Sequence, residues 1–352
     1  MVLVFAMAAG IWGMGALMKA PRSARWTMIG LLYVAVLGLH VAFPDGHPLR
    51  MATGESPAFW LILGGFTALV LAYRFGLQRL RGRAQTRHPS GTAQQQGSFS
   101  DTELNRYARH IVLREIGGTG QKALKEARVL VVGAGGLGAP ALQYLAAAGV
   151  GTIGVIDDDI VENANLQRQV IHRDGDISTP KVFSAQAAME AQNPFVTVRP
   201  YHQRLTAGIA HRLFADYDLV LDGTDNFDTR YLVNDAAVAR GIPLISGALT
   251  QWEGQISVFD PANGAPCYRC LFPKAPAPEL APNCAEAGVI GPLPGVIGSM
   301  MAVEAIKLIT GAGTPLRGDM VIYDALYGES RKIGVTRRAD CPICGDAAVA
   351  AG

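Results

Sequence analysis

Charge is what this sequence has least of. Only 17% of its 352 residues are Asp, Glu, Lys or Arg, and the mean hydropathy is positive. That is unusual for a soluble enzyme and expected when a lipid-embedded part is averaged with a globular one. No charged residue occurs between Met1 and Met18, between Trp26 and Pro44, or between Ser56 and Tyr73, runs of 18 or 19 residues. Each is close to the ~20 residues a helix needs to cross the hydrocarbon core. Three transmembrane helices are expected, at about 1–18, 26–44 and 56–76, forming a membrane anchor over residues 1–83. Acid is missing from two connections as well. Lys19, Arg22 and Arg25 stand alone between the first two runs, and Arg74, Arg79, Arg81, Arg83 and Arg87 follow the third, whereas Asp45, Arg50 and Glu55 share the middle loop. Lys and Arg stay on the cytoplasmic side, so the N-terminus lies outside and the chain beyond the anchor in the cytoplasm. A cleaved signal peptide would want its positive charge ahead of the first run, where there is none.

Further absences narrow the function. No basic stripe is interleaved with aromatics, which argues against nucleic acid as a partner. The seven histidines form no cluster; His110 and His172 have no evident partners and read as structural or surface residues. No internal repeat is present. Residues 84–99 carry almost no aliphatic side chain and cannot bury enough surface to fold alone, so they read as a linker.

From Ser100 the pattern changes. Ser100-Asp101-Thr102-Glu103 is a capping pattern for a helix running to about Leu113. Short β-branched runs then alternate with helical stretches: strands at 129–132, 152–157, 196–200, 218–221 and 243–246, helices at 139–148, 180–192 and 227–240. Such alternation predicts an α/β, Rossmann-like, doubly wound and mostly parallel sheet. Beyond it lie strands at 255–260 and 320–323, a helix at about 295–310, and the proline-rich loop 272–294, long enough to be functional.

Gly133-Ala134-Gly135-Gly136-Leu137-Gly138 follows a strand and opens a helix. In that setting glycines bring the backbone close to phosphate oxygens, and the free N–H groups of the helix start favour negative charge. Asp157, nineteen residues after Gly138, ends the next strand where a carboxylate can accept hydrogen bonds from ribose hydroxyls. These features alone would suit a nicotinamide-dependent oxidoreductase. The segment that follows favours a triphosphate: Arg168 and Lys181 can stabilise charge that develops on phosphates under attack. Asp225, at the carboxyl edge of the sheet, is placed to ligate a metal ion. Taken singly, Arg168 and Lys181 also read as solvated surface charges and Asp225 as a helix cap before Phe227; taken together they point to the triphosphate.

With these motifs in view, residues 104–345 resemble the MoeB/ThiF/HesA family, bacterial relatives of ubiquitin-activating enzymes, and within it the molybdopterin-synthase adenylyltransferases. The resemblance rests on Arg106-Tyr-Ala-Arg109, the glycine loop, Asn165-Leu-Gln-Arg168-Gln169, Pro180-Lys181, Asp222-Gly-Thr-Asp225-Asn226, Glu253-Gly-Gln255, Cys267-Tyr-Arg-Cys270 and Cys341-Pro-Ile-Cys344. It implies ATP-dependent adenylation of the C-terminal glycine carboxylate of a small ubiquitin-like sulfur carrier ending in Gly-Gly, of the molybdopterin or thiamine type. It also implies that Gly133, Gly135, Gly136 and Gly138 with Asn165, Gln169 and Asn226 surround the nucleotide, that Asp157 meets the ribose, that Arg168 and Lys181 meet the phosphates, and that Asp225 holds Mg²⁺. Arg109 would enter the site of a partner subunit, making the protein a homodimer. A carboxylate nucleophile needs no general base, so positioning and charge neutralisation remain as the catalytic task. The chain stops shortly after Cys344 without the sulfurtransferase domain some relatives append, so a separate sulfur donor is expected. Relatives that activate a tRNA-bound carboxylate generally lack both cysteine pairs. A vestigial site on a membrane docking protein is disfavoured because no phosphate-binding position is lost.

Four of the five cysteines form two Cys-x-x-Cys pairs, Cys267/Cys270 and Cys341/Cys344. Two such pairs supply four thiolates for a closed, structural Zn²⁺ site that pins the C-terminal part, and the cytoplasm disfavours disulfides. Cys284, within the proline-rich loop, is either a thiol that attacks the acyl-adenylate or delivers sulfur, or an inert residue of a closing loop.

Overall fold

The structure, a computed structural model, describes residues 1–18, 20–54, 56–86, 99–275 and 288–345. Two compact units divide the chain within the expected linker, at Gln94 and Gln95.

The first unit is helical: α1 (Val2–Leu17), α2 (Arg22–Ala42), the short α3 (Pro48–Thr53) and α4 (Pro57–Thr86). Its contact core is small, centred on Val4, Val36 and Trp60. Most of the apolar surface points outward; Leu31, Val34, Ile62, Phe66 and Leu69 are all exposed. Length and composition let Ser23–Ala42 and Pro57–Arg74 cross a membrane, whereas the apolar stretch of α1, Leu3–Leu17, is shorter than the expected first span. At 1.5 Å per residue its 16 residues rise only about 24 Å. α4 continues to Thr86, so residues 84–86 of the expected linker are helical; residues 87–98 lie outside the described segments. At one end of the bundle, Arg50 pairs with Asp45 at 2.6 Å and donates to the Phe43 carbonyl, while Trp60 Nε1 donates to the Thr53 carbonyl.

The second unit begins at the expected cap: Ser100 Oγ accepts from the Glu103 amide, and the Glu103 carboxylate accepts from the Ser100 amide. The expected single helix breaks at Tyr107 into α5 (Asp101–Arg106) and α6 (Ala108–Ile111), followed by α7 (Gly117–Glu126), which no periodicity had marked. Then come β1 (Arg128–Val132), α8 (Gly138–Ala148), β2 (Thr152–Asp157), α9 (Lys181–Gln192), β3 (Thr197–His202), α10 (Ala207–Leu213), β4 (Leu219–Asp222), α11 (Phe227–Arg240), β5 (Leu244–Leu249), β6 (Glu253–Phe259), α12 (Tyr268–Leu271), α13 (Pro292–Thr310), β7 (Asp319–Asp324) and β8 (Glu329–Gly334). The strands form one sheet in the order β3-β2-β1-β4-β5-β6-β7-β8, the first five parallel and the last three antiparallel additions. Alternate residues of β1 feed opposite faces. Val129 and Val131 pack with α8, α9 and α13, and Leu130 and Val132 with α10 and α11. α13 is as apolar as the candidate membrane spans, but Leu293, Ile297, Met301 and Ala305 bury one of its faces against the sheet. β8 was not foreseen; every residue in it is exposed and none of its charges breaks an apolar pattern, because it has none.

The chain order reverses between β1 and β4, with β2 and β3 on one side and β5 on the other. Ligands bind outside the carboxyl ends of the strands at such a switch point, and the loops after β1, β2 and β4 meet there.

Candidate nucleotide site and cysteine cluster

A cleft of about 910 Å³ opens at this edge. Its wall includes Gly133, Gly135, Gly136, Asp157, Arg168, Gln169, Lys181, Asp225 and Asn226, residues drawn from five separate stretches of sequence.

The glycine loop is held by its own tightness. Gly133 has φ +93°, a conformation side chains resist, and a Cβ on Gly138 would overlap the Gly133 carbonyl oxygen. Gly138 therefore builds the turn and does not line the cleft. Leu137, at the N-cap of α8, supplies no side-chain acceptor, but the Ala139 amide donates to the Gly135 carbonyl and Pro140 has no N–H, so the helix start keeps fewer free donors for an anion than the loop pattern suggests. The Ala134 amide donates to Asp157 Oδ2 at 2.7 Å and the Asp159 amide to Oδ1 at 2.8 Å, so the carboxylate expected at the ribose also ties the loop to β2. Burial raises the Asp157 carboxyl above the usual carboxylate range against the lowering effect of Lys181 and these two amides.

Lys181 is 6% exposed, and its Nζ lies 2.6 Å from Asp159 Oδ2. Its amide donates to the Asp159 carbonyl as well, so Asp159, which no motif singled out, aims the lysine. Arg168 donates to the Ala164 carbonyl and packs its stem near Gly136. Asn165 does not reach the cleft wall; it is buried and accepts from Gln169 Nε2 at 3.1 Å, orienting that side chain.

Asp225 and Asn226 sit on the loop after β4. The helix cap is Asn226, whose Oδ1 accepts from the Thr229 amide, so Asp225 is exposed and uncommitted to capping. Beneath this loop lies a pair the motifs did not reveal. Asp222, 1% exposed, accepts from the Thr224 amide and hydroxyl at 3.0 and 2.7 Å, and Arg230, 5% exposed, stands 3.8 Å from its Oδ2. Arg230 also donates to the Thr224 carbonyl and, at 3.2 Å, to Ser246 Oγ. A cationic residue inside a helix pattern gives no signal of this role until β4 and α11 are packed together.

His172 is 5% exposed and, contrary to expectation, has partners. Its Nε2 is 2.9 Å from the Ala134 carbonyl oxygen and its Nδ1 2.8 Å from Ser184 Oγ. Burial lowers its pKa below the usual histidine value, and Lys181 adds to that.

Arg109 is exposed on α6 and absent from the cleft wall. Its neighbours are fastened: Arg106 donates to the Gln192 carbonyl, and the buried Tyr107 hydroxyl accepts from Asn193 Nδ2 at 2.9 Å. Cys284 lies outside the described residues.

Away from the cleft, Cys267, Cys270, Cys341 and Cys344 gather as buried free thiols. Sγ–Sγ separations are 3.9 Å for 267–270, 3.6 Å for 267–341 and 3.4 Å for 270–344. A tetrahedron of Zn–S bonds near 2.3 Å has edges of about 3.8 Å, so the donor set and spacing fit such an ion. Burial raises the Cys267 thiol strongly and Cys344 to about 11; a cation is what would hold these sulfurs as thiolates. The pairs are brought together by α12, whose Tyr268 amide donates to buried Asn234 Oδ1 and whose Arg269 pairs with Asp235 at 2.7 Å.

The ThiF family matches residues 107–343. Over 252 residues the sequence is 53% identical to the sulfur carrier protein adenylyltransferase of Thermus thermophilus, covering 70% of this chain and 93% of that protein. It is 49% identical to the SAMP-activating enzyme E1 of Haloferax volcanii, covering 72% and 93%. Among solved structures, E. coli MccB with MccA-N7isoASN shares the fold at a TM-score of 0.61 and 22% identity, over 72% of this chain and 77% of that one.

Proposed function

Because the chain belongs to the ThiF family and is an adenylyltransferase, we propose that it adenylates the C-terminal glycine carboxylate of a small ubiquitin-like sulfur carrier, of the molybdopterin-synthase small-subunit type. One observation carries this reading: the glycine loop, Arg168, Lys181 and Asp225 converge on one cleft at the switch point of the sheet. A carrier carboxylate oxygen attacks the α-phosphorus of ATP, the bond to the bridging oxygen breaks, and pyrophosphate leaves, giving the acyl-adenylate. Arg168 and Lys181 neutralise the charge that builds on the phosphates. Asp225 would hold Mg²⁺, which when bound supplies further neutralisation of the phosphate oxygens. The four cysteines would hold a structural Zn²⁺ that closes the C-terminal part onto α12.

Arg109, exposed and outside its own subunit's cleft, completes the site of a partner subunit in a homodimer. Sulfur comes from a separate donor, directly or through Cys284. The helices of residues 1–83 anchor the enzyme in the cytoplasmic membrane with the catalytic unit on the cytoplasmic side; the outward apolar side chains of α2 and α4 support this, since water would not tolerate so broad an apolar surface.

ATP–pyrophosphate exchange tests the mechanism. Exchange should require a carrier ending in Gly-Gly and should vanish in Asp225→Ala. Exchange unchanged in that variant would sink the assignment, and faster exchange with a thiamine-type carrier would move the substrate to that class. Mixing Arg109→Ala with Asp225→Ala subunits should restore about a quarter of wild-type exchange, since half the dimers are mixed and each regains one of two sites.

A further inference from the structure

Beneath the glycine loop runs a chain of contacts that the adenylation chemistry does not use. The Ala134 carbonyl oxygen meets His172 Nε2 at 2.9 Å, His172 Nδ1 meets Ser184 Oγ at 2.8 Å, and Ser184 Oγ meets Asp176 Oδ2 at 2.8 Å. The Arg173 amide donates to the same Asp176 oxygen at 2.9 Å. His172 and Ser184 are both buried, so water does not substitute for a missing partner.

Each of the three contacts needs one hydrogen. A carbonyl oxygen supplies none and an ionised carboxylate supplies none. Ser184 supplies one, and a neutral imidazole supplies one. The neutral chain is therefore one hydrogen short: either the Nε2 lone pair faces the Ala134 oxygen, or Ser184 Oγ faces Asp176 without a proton between them. An imidazolium satisfies all three contacts, with Nε2–H donating to Ala134, Nδ1–H donating to Ser184 and the Ser184 hydroxyl donating to Asp176.

Charged groups around the ring pull both ways. Asp157 at the end of β2 and Asp176 before α9 favour the imidazolium, as does the Ala134 carbonyl; burial and Lys181 at the start of α9 oppose it and prevail in the protein without nucleotide. A triphosphate on the glycine loop brings several negative charges against Ala134 and draws on Lys181, which tips this balance.

We propose that nucleotide binding in the cleft is coupled to uptake of one proton from solvent at His172, whose imidazolium completes the Ala134–His172–Ser184–Asp176 chain and fixes the glycine loop around the phosphates. His172 is thus a positioning residue, acting on the nucleotide through the Ala134 carbonyl. The inference rests on the reading of the cleft as an ATP site.

Titration calorimetry of the full-length protein with the Mg²⁺ complex of a non-hydrolysable ATP analogue, in two buffers of different ionisation enthalpy, reads the proton directly. Wild type should take up close to one proton more than His172→Gln at pH 6.5 to 7.5. Its affinity relative to that variant should fall by up to about tenfold per pH unit across the window between the free and bound titrations of His172. Gln keeps an N–H for the Ala134 carbonyl but carries no titratable proton. Ser184→Ala, a smaller change that cuts the link to Asp176, should likewise reduce the uptake and covers the case in which His172→Gln does not fold. Equal proton uptake in wild type and both variants would overturn the coupling. No binding heat in wild type would instead overturn the ATP reading of the cleft.

Discussion

Replacing Arg230 by Met takes away the cation paired with a carboxylate that has no route to water. Asp222 is 1% exposed; its Oδ1 keeps the Thr224 amide and hydroxyl, but its Oδ2 is left with Ser246 Oγ at 3.4 Å, itself a former partner of Arg230. Breaking a buried pair from one side costs about 3–5 kcal/mol. The 3.8 Å separation of this pair and the two surviving Thr224 bonds place it near the lower end, about 3 kcal/mol. For a unit of this size that is roughly 6–12 °C in Tm. Thermal unfolding of the full-length protein in detergent, followed by near-UV circular dichroism, measures it. Asp222→Asn in the Arg230→Met background removes the stranded charge and should return about half of the loss. Exchange activity should not return with it, because Arg230 also holds the Thr224 carbonyl on the loop that carries Asp225. A Tm drop below about 2 °C for Arg230→Met, or a double variant as unstable as the sum of the single changes, would refute this account of the loop.

Gly138→Ala and Gly135→Ala should separate folding from binding. A Cβ at 138 overlaps the Gly133 carbonyl oxygen and should cost about 1–3 kcal/mol, seen as a lower Tm, whereas one at 135 meets only Gln169 Nε2 at 3.7 Å and should leave Tm unchanged while abolishing ATP binding by calorimetry. Elemental analysis should find zinc bound to the wild type and not to Cys344→Ser, whose Tm should be lower by an amount corresponding to about 3 kcal/mol or more, the linkage expected of an ion held at ~100 times its Kd. Without nucleotide, the folded pKa of His172 lies below the ordinary 6.5, so as pH falls below that value the unfolded chain takes up its proton first. The His172 contribution to stability is full above pH 6.5 and is lost as pH falls towards the folded pKa; a Tm–pH profile no flatter in His172→Gln than in wild type would contradict this.

Local chemistry made much of this protein legible without a structure. Alternating β-branched runs and helical stretches marked the parallel half of the sheet, because the two periodicities differ and its strands β1, β2, β4 and β5 are buried along most of their length. The Cys-x-x-Cys pairs announced a four-sulfur cluster through spacing alone, and the glycine loop declared a tight strand-to-helix turn because that setting is local. The charge-free runs declared apolar helices, although a composition that suits a bilayer equally suits α13, which lies against the sheet. Tertiary structure decided the rest. Whether Gly138 builds the turn or lines the cleft depends on one carbonyl oxygen five residues away, and whether Asn165 touches nucleotide or merely aims Gln169 depends on which face of a 3₁₀ turn is buried. Asp159, Arg230 and His172 carry no motif, since their partners are contributed by other strands and helices. An isolated charge or imidazole looks the same in sequence whether solvated or buried; only packing sets the dielectric and the partners that give it a task.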